Sequence, residues 1–160
     1  MIQEAHNRDI LSSGARCLVN PVSSCGGTKE GLCSLFVQKY PTMVSGFRGM
    51  CAQRALTPGQ LWMFQDPASG VWIANVAVRP KEGEVSSLEW VDRGLSELAR
   101  KVRQFEILSV AIPALGCEDN GGNEWHEVQG LVGKHFERSS ATIIIYPPTP
   151  PKSSSRWSRR

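Results

Sequence analysis

The chain has 160 residues, of which 41% are hydrophobic and 21% charged. That length and balance suit one globular domain with a real buried core and exclude global disorder. The net charge of +3 is carried by Arg156, Arg159 and Arg160, which leaves the rest close to neutral. It fits an anionic ligand and excludes the basic face of a dedicated nucleic-acid binder.

In chain order, Cys17, Leu18 and Val19 predict a short strand that runs into a turn-rich stretch at 20–27. From 29 to 40, Leu32, Leu35 and Phe36 fall at i, i+3 and i+4 and predict a helix with one apolar face. A second helix follows at 42–54, with Met43, Phe47, Met50 and Cys51 inward, although Gly46 and Gly49 weaken it. Strands are predicted at 61–65 and 71–78, joined by turn residues at 66–70. The strongest helical pattern spans 86–104: Ser86 and Glu89 read as a capping box, and Leu88, Val91, Leu95, Leu98 and Val102 form a continuous stripe. Residues 107–113 are the apolar run of a strand buried on both faces. A helix at 125–137, with Val128, Leu131, Val132 and Phe136 inward, and a strand at 141–146 complete the series. Helices alternating with buried strands imply an α/β fold with parallel strand pairs.

The domain is expected over 1–147, followed at 148–160 by a flexible tail rich in Pro, Ser and Arg. The basic end of that tail offers a contact to nucleic acid or a partner, and equally reads as a solvated extension. Five cysteines without a CxxC pair argue against a disulfide framework and for a reducing, cytoplasmic compartment. Neither the cysteine spacing nor the scattered His6, His126 and His135 resembles a metal site, and both helical histidines are expected at the surface. The first residues lack the basic and apolar regions of a signal peptide, and no apolar run approaches the ~20 residues of a bilayer span. A monomer without membrane contact is the default.

Two loops carry the chemistry. Residues 20–31 and 115–122 each leave a strand, enter a helix and are rich in glycine, so their backbone N–H groups can approach an anion closely. Ligands of open α/β sheets lie at such strand ends. Neither loop matches a P-loop or a GxGxxG fingerprint, which leaves nucleotidase and dehydrogenase readings unsupported.

The residues Asn7-Arg8-Asp9-Ile10, Cys17-Leu18-Val19-Asn20, the first Gly-rich loop, and Ala111 through Cys117 with Gly121, Gly122 and Trp125 resemble the macrodomain family. The antitoxin members that remove ADP-ribose from DNA thymidine are the most similar subgroup. Lys39-Tyr40-Pro41 and the Pro58-Gly59 turn ahead of Phe64 extend that resemblance. It implies a three-layer α/β/α fold around a central mixed, largely parallel sheet. It also implies ADP-ribose, or a macromolecule carrying it, as ligand, with no cofactor.

Residue by residue, Asp9 would accept a hydrogen bond from the adenine amino group beside the Ile10 backbone, or simply cap a turn. Asn20 would face the distal ribose. Gly26, Gly27 and Gly31 would wrap ribose and diphosphate. Gly116, Cys117, Glu118, Asn120, Gly121 and Gly122 would form the second phosphate loop. Tyr146 would pack on the adenine side, or be an ordinary edge aromatic.

Three departures bear on catalysis. Ser23 stands where the subgroup has an asparagine, and Arg79 where it has its catalytic lysine, with Lys81 two residues on. The second loop also carries two acids. Arginine stays protonated and cannot attack C1″ of the ribose, although it binds anions. Asp119 could serve as general base or stabilise an oxocarbenium-like state. The acids could equally repel a phosphate, bind a cationic group or remain solvated. Two functions follow: a binding module for ADP-ribose or an ADP-ribosylated ligand, or a glycohydrolase using Lys81 or Asp119. An α/β interaction domain without a nucleotide ligand is the third possibility.

Overall fold

The structure is a computed structural model that describes residues 1–5, 9–117 and 122–148. Its strands are β1 (Ile2–Glu4), β2 (Cys17–Ser23), β3 (Leu61–Gln65), β4 (Trp72–Arg79), β5 (Ser109–Ile112) and β6 (Thr142–Ile145). The helices are α1 (Gly31–Lys39), α2 (Val44–Ala52), α3 (Leu88–Gln104) and α4 (Trp125–Phe136), with 3-10 turns at Ile10–Ser12 and Pro41–Met43. The strands form one sheet in the order β1-β6-β5-β2-β4-β3. Only β3, the outer strand of the β3–β4 hairpin, runs antiparallel to its neighbour. The expected mixed, largely parallel sheet is therefore present.

Alternation along the buried strands sends successive side chains to opposite faces and builds two layers of core. On one face Cys17, Val19, Val76, Val110, Ile112 and Ile143 meet Val91, Leu95 and Leu98 of α3 and Val128, Val132 and Phe136 of α4. On the other, Leu18, Ile73 and Ala111 meet Phe36, Tyr40 and Met43, and Val22 and Ala77 meet Phe47 and Cys51. Helix, sheet and helix give the three layers.

Gly94 marks the closest approach of α3 to the sheet, since a Cβ there would lie 2.5 Å from Val76 Cγ1. Val76 is fully buried and β-branched, so it cannot swing aside. Gly94→Ala is expected to lower stability by about 1–3 kcal/mol, read as a drop in the thermal midpoint.

The differences from expectation have local causes. Strand β2 does not stop at Val19 but continues through Asn20 and Pro21 to Ser23, all seven residues buried. Beyond Leu18 it pairs only with β4, so the side left open by β5 tolerates a residue without an N–H. Strand β1 was not anticipated, because three residues at a sheet edge are too few to show a period.

The N-cap of α3 is Ser87, whose hydroxyl accepts from Glu89 N at 3.2 Å, rather than Ser86. Leu35 points to solvent at 47% exposure, leaving Phe36 and Cys33 as the buried positions of α1. His135 is half-buried rather than a surface residue. Its Nε2 lies 2.6 Å from Asp92 Oδ1, tying α4 to α3 with help from Lys134. That hydrogen bond is the main reason the Asp92 carboxyl titrates below its usual range.

Candidate functional site

The parallel strands β2, β4 and β5 all end on one side of the sheet, and the connections leaving β2 and β4 face one another there, whereas no described residue of the second Gly-rich loop lines the cleft between them. A cleft of about 460 Å³ opens at the ends of β2 and β4. Ser23 and Arg79 line it, together with Gly27, Glu30, Gly31 and Cys33 from the first loop and α1, and Glu82 and Glu84 from the connection after β4.

Ser23 and Arg79 are register partners at the last step of the β2–β4 ladder, just past a bulge after Val22. The two connections stay joined beyond it, with Ser24 N donating to Arg79 O at 3.0 Å and Cys25 N to Pro80 O at 2.9 Å. The two positions at which the sequence departs from the resembled catalytic pattern therefore sit side by side in the cleft wall. Ser23 is 6% exposed, and its hydroxyl has no hydrogen-bond partner among the described residues. Arg79 Nε is buried without a partner, and its guanidinium forms no ion pair among them. A buried donor left unpaired costs roughly 1–3 kcal/mol.

The first loop turns through Gly26, at φ +92°, and enters α1 at Glu30, whose side chain makes no capping bond. The opening N–H groups of α1 are left for an anion, and the helix dipole adds to their pull. Gly27 packs under the Glu82 side chain, which accepts from Lys29 N at 3.2 Å and so bridges the first loop to the connection after β4. Asn20 is fully buried in β2. Its Nδ2 donates to Asn75 Oδ1 at 3.0 Å and lies 3.9 Å from Cys33 Sγ, while its own Oδ1 has no partner among the described residues. Burial pushes the Cys33 thiol up to about 11, which keeps it neutral and unsuited to nucleophilic work.

A second cavity, of about 590 Å³, brings together Asp9, Ser12 and Tyr146 at the ends of β1 and β6. Asp9 caps the turn that follows it, accepting from Leu11 N at 3.0 Å and from Ser12 Oγ at 3.3 Å, and its carboxylate remains exposed. Ile10 is buried behind it and anchors the turn.

Of the second Gly-rich loop, Gly116 and Cys117 are described up to the half-buried Cys117, and Gly122 beyond; Glu118, Asp119, Asn120 and Gly121 lie outside the described residues. Asn7 and Arg8 lie outside them too. Lys81 is 67% exposed, pairs with Glu84 at 3.8 Å and does not line the cleft. Sequence reasoning did not single out Glu30, Glu82 or Glu84. The signal for the last two was available, because the connection after β4 leaves a parallel strand at the same end as both Gly-rich loops.

No family model matches the chain. A DNA ADP-ribosyl glycohydrolase of Mycobacterium tuberculosis is 31% identical over 144 residues, covering 88% of this chain and 41% of that protein. One from Thermus aquaticus is 25% identical over 151 residues, covering 92% of this chain and 42% of its own length. The chain thus spans about two fifths of these curated relatives.

Among solved structures, the macrodomain of Mycobacterium tuberculosis DarG superposes with a TM-score of 0.88 at 29% identity, over 93% of this chain and 99% of that one. Thermosipho africanus DarTG in complex with ADP-ribose superposes at 0.84 and 22% identity, over 95% of this chain and 44% of that one, a likeness of fold. With these likenesses beside a six-stranded, largely parallel sheet between two helical layers, the chain belongs to the macrodomain family and is similar to the macrodomains of DarG.

Proposed function

We propose that the chain binds ADP-ribose, or a ligand carrying it, across the two cavities at the strand ends. One observation carries this reading: Arg79 and Ser23, adjacent in the wall of the cleft, both hold polar side-chain atoms without partners among the described residues. The diphosphate lies against the open N–H groups at the start of α1 and the glycines of both loops. The adenine sits in the cavity of Asp9 and Tyr146, and the distal ribose reaches the cleft that Arg79 and Ser23 line. A structure of DarTG with ADP-ribose supports this choice of ligand.

Titration calorimetry with ADP-ribose tests it, and absence of binding would refute it. Asp9→Ala is expected to weaken ADP-ribose by about tenfold, the worth of one charge-assisted hydrogen bond. The thermal midpoint measured alongside separates lost recognition from lost capping.

The second reading is hydrolysis of the ribosyl C1″ bond to a DNA base or a protein side chain, favoured by the glycohydrolase names of the relatives. Arg79 favours binding over turnover, since a guanidinium stays protonated at neutral pH and so neither attacks carbon nor serves as a base. Asp119 and Lys81 are the alternative carriers of turnover. Loss of release in Asp119→Ala or Lys81→Ala with ADP-ribose affinity kept would establish it.

No described helix is long and apolar enough to cross a membrane. The odd cysteine count without a CxxC pair supports a reducing, cytoplasmic setting, and a monomer whose basic tail touches nucleic acid completes the proposal.

A further inference from the structure

A cavity of about 630 Å³ opens at the opposite end of the sheet from the cleft, where β5 and β6 begin and α3 and α4 end. Its wall is aliphatic, built from Ala99, Val102, Ile107 and Ala141, all buried. On its rim Leu108 is 73% exposed, the most exposed large hydrophobic side chain among the described residues. The backbone there is fixed, because Leu108 O accepts from Thr142 N at 2.9 Å. Apolar surface held out in water beside an apolar wall marks a place for a partner.

The charges around this groove lean one way. Arg103, in the last turn of α3, and Arg138, just past α4, both line it, and neither makes a hydrogen bond or ion pair among the described residues. Glu106 is the one carboxylate in the lining and pairs with neither of them. His135 also lines the groove but is held by Asp92 at 2.6 Å. The carbonyls that end the two helices add little negative charge, since Phe105 N, Glu106 N and Ile107 N close the end of α3, and Glu137 N and Ser139 N that of α4.

We propose that this groove docks an acidic polypeptide segment with an aliphatic anchor. The anchor packs against Ile107 and Leu108, and flanking carboxylates meet Arg103 and Arg138, whose planar forks suit them. The chain's own residues 149–160 have the wrong sign, with Lys152, Arg156, Arg159 and Arg160 and no acid. Nucleic acid would satisfy the arginines but draws its affinity from bases stacked on free aromatic rings. The exposed aromatic at this end, Phe105, is already stacked on Trp72 at 4.6 Å and carries Lys101 over its ring. Lying at the far ends of the strands from the cleft, the groove can be filled whether or not the cleft is, so this inference does not rest on the ADP-ribose reading.

The test titrates a short peptide of glutamate and leucine into the isotope-labelled full chain and follows the backbone amide resonances. Shifts are expected at Ile107, Leu108, Ser139 and Ala141 and not at Ser23 or Arg79. In the double variant Arg103→Gln with Arg138→Gln, affinity is expected to fall about fivefold at low salt, the effect of removing two unit charges about 8 Å from the ligand in water. Leu108→Ser is expected to weaken the peptide by a similar factor while leaving the thermal midpoint in place, since the side chain packs on nothing in the free chain. A lysine–leucine peptide and a glutamate–serine peptide of the same length are expected not to bind. Absence of shifts at the groove, or an affinity unchanged in the double variant, overturns the inference. So does a single-stranded oligonucleotide that shifts the same amides at lower concentration than the peptide, which would make this a nucleic-acid surface.

Discussion

Arg79→Lys is expected to raise release of ADP-ribose from an ADP-ribosylated substrate by about a hundredfold over the unmodified chain, the low end of what a positioned acid–base group contributes. The resemblance read from the sequence implies a lysine at this place in the antitoxin-type macrodomains, and the backbone that would present it is already built. Position 79 ends β4 in register with Ser23 and is fixed by Ser24 N donating to its carbonyl. The exchange replaces a group that holds its proton under all ordinary conditions with an ammonium that can give one up and attack carbon. Arg79→Gln is the control. It removes the cation without supplying a nucleophile, so ADP-ribose affinity should fall and release should stay at the starting level. Following release by chromatography of free ADP-ribose on both variants decides the matter. If the lysine variant binds ADP-ribose as before and still releases nothing, residue 79 is not what separates this chain from turnover. The substitution Ser23→Asn, made on the same background, is then the next suspect.

How far the sequence reached follows from how local each signal is. The long helix α3 was legible because its stripe repeats over 17 residues and feeds one core. Its start was displaced by one residue because Ser86 and Ser87 both fit a cap, and only packing shows which is buried. Strand β2 was cut short at Asn20 because proline and a run of small polar residues read as a turn. In the sheet, β4 alone holds that stretch, and a buried asparagine pair, Asn20 with Asn75, replaces the apolar pattern. Of the cleft, the first Gly-rich loop could be found from its composition and Arg79 from the family resemblance. The rim glutamates could not, since a carboxylate in a loop is usually solvated, and only the folded connection after β4 turns Glu82 and Glu84 toward the cleft. Register likewise made neighbours of Ser23 and Arg79, which lie 56 positions apart in the chain.

Gly116→Ala is expected to cost about 2–4 kcal/mol of stability, and to weaken ADP-ribose by more than tenfold in whatever remains folded. Two costs add. Gly116 holds φ +69°, a left-handed conformation that charges any residue with a Cβ about 1 kcal/mol or more. The new Cβ would also lie 2.5 Å from Asn123 Nδ2, 2.6 Å from Ser86 Cβ and 2.7 Å from Ser86 Oγ. Ser86 cannot give way, being 7% exposed and followed directly by the N-cap of α3. The second loop must move instead, breaking the bonds of Asn123 N to Gly116 O at 3.1 Å and of Asn123 Nδ2 to Leu115 O at 3.4 Å. Those bonds set the path along which its N–H groups meet the diphosphate in the proposed complex. Gly27→Ala provides the contrast within the same site. The atoms nearest its Cβ would all belong to the Glu82 side chain, a flexible group that can turn aside at the loss of its one bond to Lys29 N, and φ at Gly27 is not in the left-handed region. Thermal melts of the two variants should therefore separate clearly, with Gly27→Ala close to the parent. Equal midpoints would mean that the second loop is not anchored on Ser86.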